Sequence, residues 1–405
     1  MKLLKNSFIY LGTEVINKAI PFILLPIITK YLTPQEYGIY GIYQVILSFF
    51  TPFIAMSLDV NITRNFFKVS KEKLSQIISS VIAILHINLL VGLIIIFLVS
   101  IFFQNPFGVP SQILLIIPII IFAQTINTFN LTILRNQQKA TKYGMVQILL
   151  TIINFGSTLL LLLVFHKNWE SLVYGVLVSH FLVMIYSFFY LKNKYKLNLN
   201  FYPFKKIYKI SAPLIFHLLG GSIIFLSDRV FIQQIIGLKE VGLYSIGSQF
   251  GIITMIIINA IIMAVNPWMY KSMSKKLNIN KQIYILMAIF IMLGIAIWLF
   301  GLSIFSYIID DRYLEAKNVI FWISLAFVFR GWYQLFYNIV VYHGKTNIFV
   351  YITFGSALFN LVLNYFLIHS NGIIGAAQAT TFAFFSMFVF IFIYIKRLKY
   401  EKHNS

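Results

Sequence analysis

The chain has no cysteine among its 405 residues, and acidic side chains are scarce, with 11 Asp and Glu against 32 Lys and Arg. The first absence excludes disulfides, thiolate metal sites and cysteine nucleophiles. Charge of either sign makes up 11% of the chain against 60% hydrophobic residues, and the mean hydropathy is +0.85. That leaves too little polar surface to clothe a water-soluble globule. No loop on the outer side exceeds about a dozen residues, which excludes an extramembrane catalytic domain. Gly344-Lys345-Thr346 has Ile339 where a phosphate-binding loop needs its first glycine, so the chain is not expected to hydrolyse ATP. Lys2 and Lys5 precede an apolar run, but Glu14 and Lys18 interrupt it and no small-residue cleavage site follows. A retained first helix is expected rather than a signal peptide.

What is present is apolar sequence in lengths of ~20 residues, enough to cross a ~30 Å hydrocarbon core as helix. β-Barrel strands would alternate polar with apolar positions, and these runs do not. Cutting at polar and turn-rich points predicts twelve helices: 6–32, 38–60, 75–103, 111–134, 142–165, 170–191, 209–236, 241–270, 281–306, 318–342, 346–368 and 373–395. The basic residues lie between these runs rather than in one patch, which reads as a topology signal and not as a nucleic-acid surface. Alternate loops hold Lys71, Lys139, Lys205, Lys275 and Lys345, whereas Glu36, Glu170, Glu240, Asp310, Asp311 and Glu315 fall on the opposite side. Positive-inside then places both termini in the cytoplasm.

The chain also repeats itself. Glu36-Tyr37-Gly38-Ile39-Tyr40 matches Glu240-Val241-Gly242-Leu243-Tyr244, and at nearly the same shift Asn61 meets Asn266, Gln124 meets Arg330 and Asn154 meets Asn360. Six helices per unit make the repeats parallel, about an axis along the membrane normal. The expected organisation is an all-α integral membrane protein with a first six-helix bundle over 1–192, a basic linker over 193–208 and a second bundle over 209–405. The linker, with Tyr195, Phe201, Tyr202 and Phe204 among lysines, either lies on the anionic inner leaflet or is a solvated tether.

Charges inside the hydrocarbon cost ~3 kcal/mol each on insertion scales, so those that remain need a partner, water or a role. Glu14 and Lys18 share a face of the first helix, either as a mutually neutralised pair or as functional groups. Asp228 and Arg229 sit on the seventh helix and, pointing about 100° apart, need not pair. Arg330, Gln334 and Asn338 form a polar stripe on the tenth helix, and Gln124, Asn127 and Asn130 form one on the fourth. No acid lies within a turn of Arg330, which predicts a cavity-facing role for it. His86, His180 and His217 lack metal-ligand spacing, and no metal is expected. Gly247 with Gly251, and Gly372 with Gly375 and Ala376, read as close helix packing. Asp310, Asp311 and Glu315 read as a solvated outer turn.

The segments Tyr31-Leu32-Thr33-Pro34-Gln35-Glu36-Tyr37-Gly38-Ile39-Tyr40 and Ser227-Asp228-Arg229, the latter ahead of Glu240-Val241-Gly242-Leu243-Tyr244, carry a family resemblance. The chain resembles the polysaccharide-repeat-unit flippases of bacterial O-antigen and capsule pathways, in the multidrug/oligosaccharidyl-lipid/polysaccharide exporter superfamily. The resemblance implies two six-helix bundles around a central cavity that alternates between inward-open and outward-open states in the bacterial inner membrane. It implies an undecaprenyl-diphosphate-linked oligosaccharide as substrate, in a protein expected to act as a monomer among membrane lipids. Glycosyltransferases and a polysaccharide polymerase are the protein partners such a pathway suggests, and nucleic acid is not among them. A diphosphate at membrane depth needs cations, and Lys18, Arg229 and Arg330, with Gln334 and Asn338, are the candidates by charge and depth. Glu14 and Asp228 are candidates for proton or sodium coupling, with no other cofactor expected. A cation-coupled drug exporter of the same superfamily is the alternative, and it would need cavity acids, chiefly Glu14, Asp59 and Asp228. A membrane-embedded polymerase or acyltransferase is the rival from another class.

Overall fold

In this computed structural model the structure describes residues 12–13, 17, 22–103, 105–197, 200–342, 344 and 348–404, the side chains of 216, 217 and 398–404 aside. The described residues form helices and no strand. They run as α1 (Phe22–Tyr31), α2 (Pro34–Ala55), α3 (Asp59–Asn65), α4 (Lys71–Phe102), α5 (Ser111–Leu114), α6 (Ile116–Asn136) and α7 (Ala140–Leu163). After α8 (Glu170–Tyr195) come α9 (Phe204–Ile235), α10 (Leu238–Ser274), α11 (Asn280–Ile308), α12 (Lys317–Tyr342) and α13 (Ile348–Asn404).

Ten of these helical stretches are long and apolar enough to cross a membrane. The last spans 50 residues, Ile348–Arg397, and turns at Gly372, whose φ of 57° and ψ of −137° are non-helical. At 1.5 Å per residue that length is more than twice the ~30 Å core, so α13 is two crossings joined at a glycine, as its two predicted helices require. Among the described residues that makes eleven crossings, and α1, with ten residues, is apolar but shorter than a full span.

One prediction is corrected. The helix expected over 38–60 starts earlier, at Pro34, and stops at Ala55. Met56 and Ser57 both take left-handed backbone (φ 49° and 48°), and the chain restarts as the short α3. Left-handed backbone costs ~1–2 kcal/mol for a residue with a Cβ, and nothing in the sequence signals it, because neither residue is glycine. The early start of α2 has a clear local cause. Thr33 Oγ1 accepts from the Glu36 amide at 3.3 Å, while the Glu36 carboxylate accepts from the Thr33 amide and hydroxyl, both at 2.8 Å. This is a capping box with proline at the first helical position.

The chain divides into two compact units, Met1–Leu24 with Ile42–Leu219, and Leu25–Gly41 with Gly220–Ser405. In the first, polar side chains join helices across the interior. Asn127 Nδ2 donates to the His180 carbonyl (2.9 Å), Asn130 Nδ2 to Ser187 Oγ (3.1 Å) and Asn61 Nδ2 to Ser211 Oγ (2.8 Å). The polar stripe of the fourth crossing is thus turned onto α8, as a stripe inside a bilayer must be. Asn17 accepts a hydrogen bond from Thr151 on α7, tying the first crossing to the fifth.

The second unit repeats that tie, with Ser227 Oγ on α9 donating to Asn360 on α13 at 3.3 Å. It also contains both copies of the repeated motif. A Cβ on Gly38 would fall inside the carbonyl of Leu238 and 3.2 Å from the Gly242 nitrogen. One on Gly242 would fall inside the carbonyl of Pro34 and 3.1 Å from the Gly38 nitrogen. The two motif glycines therefore face each other where α2 and α10 cross backbone to backbone. A Cβ on Gly247 would clash with the Ala316 carbonyl oxygen and one on Gly251 with the Ile323 side chain, which bears out the small-residue reading for that pair, whereas Gly372 makes the turn in α13.

The turn ahead of α12 is more than a solvated loop. Asp310 pairs with Arg312 (2.7 Å), and the Arg312 guanidinium donates to the carbonyls of Thr29 (2.9 Å) and Lys30 (2.8 Å) at the end of α1. Tyr313 donates to the Leu32 carbonyl at 3.1 Å. A cation over the last carbonyls of a helix satisfies groups left open by the helix end and complements its dipole. The bonds from Arg312 hold the Asp310 carboxyl below the usual carboxylate range. A depressed folded pKa stabilises at pH above the unfolded value of about 4 and is lost as pH falls through the folded one. Arg312→Ala should accordingly speed amide exchange at the end of α1 about two- to fivefold at neutral pH, as for a partly exposed ion pair. Hydrogen–deuterium exchange checks this, and the difference between variant and parent should narrow below pH 4. Unchanged exchange at neutral pH would mean that Arg312 holds nothing.

Candidate functional site

The cation that the sequence singles out is also unusual in the structure. Arg330 is half-buried on α12, with its guanidinium carbon 4.9 Å from the centroid of the Phe225 ring on α9. Phe225, Phe327 and Phe384 form a mutual cluster with centroids 5.7–6.3 Å apart, drawn from α9, α12 and α13. Arg330 Nη1 is buried with no hydrogen-bond partner, and no carboxylate pairs with Arg330 among the described residues. A desolvated cation–π contact is worth about 2 kcal/mol, which offsets much of a ~3 kcal/mol insertion cost. The buried N–H still forgoes a bond worth about 1–3 kcal/mol. An anion reaching Arg330 would supply it.

The rest of the stripe divides. Asn338 is buried and committed to α10, its Nδ2 donating to Asn266 Oδ1 (2.8 Å) and its Oδ1 accepting from the Tyr270 hydroxyl (3.2 Å). Asn338 therefore pins α12 to α10. Gln334, one turn from Arg330, is half-buried.

Arg229, unlike Arg330, is neutralised. Its Nη1 lies 3.2 Å from Asp228 Oδ1, its backbone N–H donates to the same oxygen (2.8 Å), and its Nε donates to Ser245 (3.3 Å). Sequence spacing left open whether the two adjacent residues pair, and in the structure they do. The long guanidinium arm folds back along the helix and makes up for the 100° between the side-chain directions. Asp228, 2% exposed, also accepts from the Tyr244 hydroxyl, and the Arg229 guanidinium lies 5.4 Å from the Tyr244 ring. The tyrosine of the second motif copy thus holds the buried carboxylate. Asn360 and Asn364 adjoin through Ser227, with Asn364 Nδ2 donating to Asn360 Oδ1 at 3.1 Å. Glu14 and Lys18 lie outside the described residues. Asp59, at the start of α3, is half-buried, and desolvation raises its carboxyl pKa against the pull of Arg135. No group of three His, Asp or Glu among the described residues could hold a metal ion.

The sequence reading missed the phenylalanine cluster and the Tyr244–Asp228 bond. Phe327, three residues before Arg330, was within reach of helix spacing, but Phe225 and Phe384 come from distant segments.

A family model described as a polysaccharide biosynthesis protein matches residues 3–273, and a MatE model matches 213–366. A protein of the Lsg locus of Haemophilus influenzae is 25% identical over 86% of this chain and 87% of its own. The capsular polysaccharide biosynthesis protein CapF of Staphylococcus aureus is 22% identical over 98% of this chain and all of its own. Among solved structures, the lipid II flippase MurJ in an inward closed conformation superposes with a TM-score of 0.74 at 15% identity, covering 97% of this chain and 87% of that one. An inward-facing multidrug resistance MATE family transporter gives 0.73 at 14% identity, covering 94% and 95%. These superpositions establish the two-repeat helical fold, and the chain is a multi-pass inner-membrane protein.

Proposed function

We propose a lipid-flipping function from the premise that this chain belongs to the family of polysaccharide biosynthesis proteins, whose model spans two-thirds of it. The protein carries undecaprenyl-diphosphate-linked oligosaccharide from the cytoplasmic to the outer face of the membrane by alternating access, and it is a transporter rather than an enzyme. The observation that supports an anionic substrate over a cationic drug is Arg330, a half-buried guanidinium with an unpaired N–H and no acid paired with it among the described residues. A diphosphate satisfies that group, since guanidinium and phosphate oxygens match in geometry as well as charge. Gln334, one turn along, bonds the sugar or phosphate in this scheme. Both termini and the lysine-rich loops face the cytoplasm in this scheme.

The test is a two-substrate assay in proteoliposomes. The oligosaccharide lipid, placed in one leaflet, should become inaccessible to an external lectin faster than in empty vesicles, while a cationic dye should not move. Dye transport without lipid movement would establish the exporter alternative instead.

Asp228 is the coupling candidate among the described residues, because it is a buried acid tied to both an arginine and a tyrosine. In Asp228→Asn, transport should persist at a reduced rate and lose its dependence on a proton or sodium gradient. Removing the counter-ion of a buried arginine costs ~3–5 kcal/mol, so protein level will fall too. Asp228→Asn/Arg229→Gln should restore the level but not the ion dependence. If the double variant regains both, Asp228 merely balances Arg229.

A further inference from the structure

A groove of about 330 Å³ opens on the first unit between α4 and α8, at the end of those helices that carries Lys71, Lys73, Lys192 and Lys194. Its size falls at the lower end of the ~300–1,000 Å³ of ligand pockets. Ile82 and Ala83 of α4 and Phe188 of α8 form its walls, and Leu197 and Phe201 of the segment before α9 also line it. That segment is fastened in place, because Ser80 Oγ donates to the Tyr202 carbonyl at 3.0 Å.

An exposed apolar face adjoins the groove. From exposed His86, which also lines the groove, the same face of α4 continues through Leu90, Ile94 and Phe97, 61%, 58% and 56% exposed. Lys192 is the one lysine in the lining. It is exposed and forms no ion pair among the described residues. Lys194, two residues on, is by contrast engaged by Gln137 and by the Tyr190 hydroxyl (2.9 Å). An apolar slot that ends at an unpaired cation fits an amphiphile with an anionic head.

We propose that this groove holds an anionic phospholipid of the adjoining leaflet, its phosphate paired with Lys192 and an acyl chain lying against Ile82, Ala83 and Phe188. The bound lipid fastens the segment around Phe201 to α4. The pairing should give about a fivefold preference over a zwitterionic lipid, the contribution of one lysine at an anionic surface.

Native mass spectrometry of the purified full chain with phosphatidylglycerol and phosphatidylcholine of identical chains reads the site directly. The parent should retain one phosphatidylglycerol preferentially, Lys192→Gln should lose the preference, and Ala83→Trp should fill the slot and lose the bound lipid. Retained preference in Lys192→Gln, or undiminished binding in Ala83→Trp, overturns the proposal. Because Ala83→Trp could disturb folding, a second measurement uses the absence of cysteine. A fluorophore on Phe201→Cys should be quenched about fivefold more by chain-brominated phosphatidylglycerol than by brominated phosphatidylcholine, and Lys192→Gln should equalise the two. Equal quenching without that substitution also overturns it.

Discussion

Gly38→Ala and Gly242→Ala should each remove most of the folded protein from the membrane, whereas Gly156→Ala and Gly355→Ala should leave its level unchanged or slightly raised. The difference lies in what the added methyl meets. At Gly38 it falls inside the carbonyl of Leu238, and at Gly242 inside that of Pro34, so the obstacle is helix backbone and no rotamer change relieves it. The crossing of α2 and α10 would have to open, and overpacking of this kind costs up to ~3 kcal/mol or more. That is a large share of the stability of a typical domain. At Gly156 and Gly355 nothing lies within 4 Å, and alanine gains up to ~1 kcal/mol of helix propensity. Thermal unfolding of detergent-solubilised protein and its level in the membrane measure both effects. The double variant supplies an internal check, since helices already separated by one methyl should lose much less to the second. Additive losses, or a Gly38→Ala protein that melts with the parent, would mean that the crossing is looser than it looks.

That crossing also shows how much of the molecule could be read in advance. Hydropathy located the crossings, because in lipid a span must be apolar and helical: 75–103 became Lys71–Phe102, 281–306 became Asn280–Ile308 and 318–342 became Lys317–Tyr342. The duplication was legible as Glu-x-Gly-x-Tyr, but its reason was not, because only the folded chain brings Gly38 to Gly242. The break at Met56–Ser57 left no trace, since left-handed backbone is forced there on residues that do not favour it. Arg312 was invisible for the opposite reason. It stands among acids in a short turn, and its partners at Thr29 and Lys30 are backbone carbonyls some 280 residues earlier, which no side-chain pattern reports. Arg330 stood out because the absence of an acid on its own helix face is a property of the sequence. What surrounds it depends on residues from three helices.

Arg330 therefore carries the largest expected effect on transport. Arg330→Gln should cut apparent affinity for the oligosaccharide lipid about ten- to a hundredfold or somewhat more, the equivalent of losing a charge-assisted bond of about 1.5–3 kcal/mol. Arg330→Lys keeps the charge but loses the planar fork and its stacking on Phe225, so it should fall between the parent and Gln. Protein level separates this from a structural role. Among the described residues no acid depends on Arg330 and its Nη1 bonds nothing, so replacing it strands no partner group, and the Gln variant should accumulate as the parent does. Phe225→Leu offers a second line of evidence. It removes the ring beneath the guanidinium without touching charge, and it should weaken binding by up to about thirtyfold, since a desolvated cation–π contact is worth about 2 kcal/mol. Flux of the lipid-linked oligosaccharide in proteoliposomes, titrated against its concentration, reads affinity and maximal rate apart. A change confined to maximal rate would place Arg330 in the conformational cycle. Full transport by a normally abundant Arg330→Gln would remove it from the site altogether, leaving Lys18 and Arg229 as the remaining cations, and Arg229 already spends its charge on Asp228.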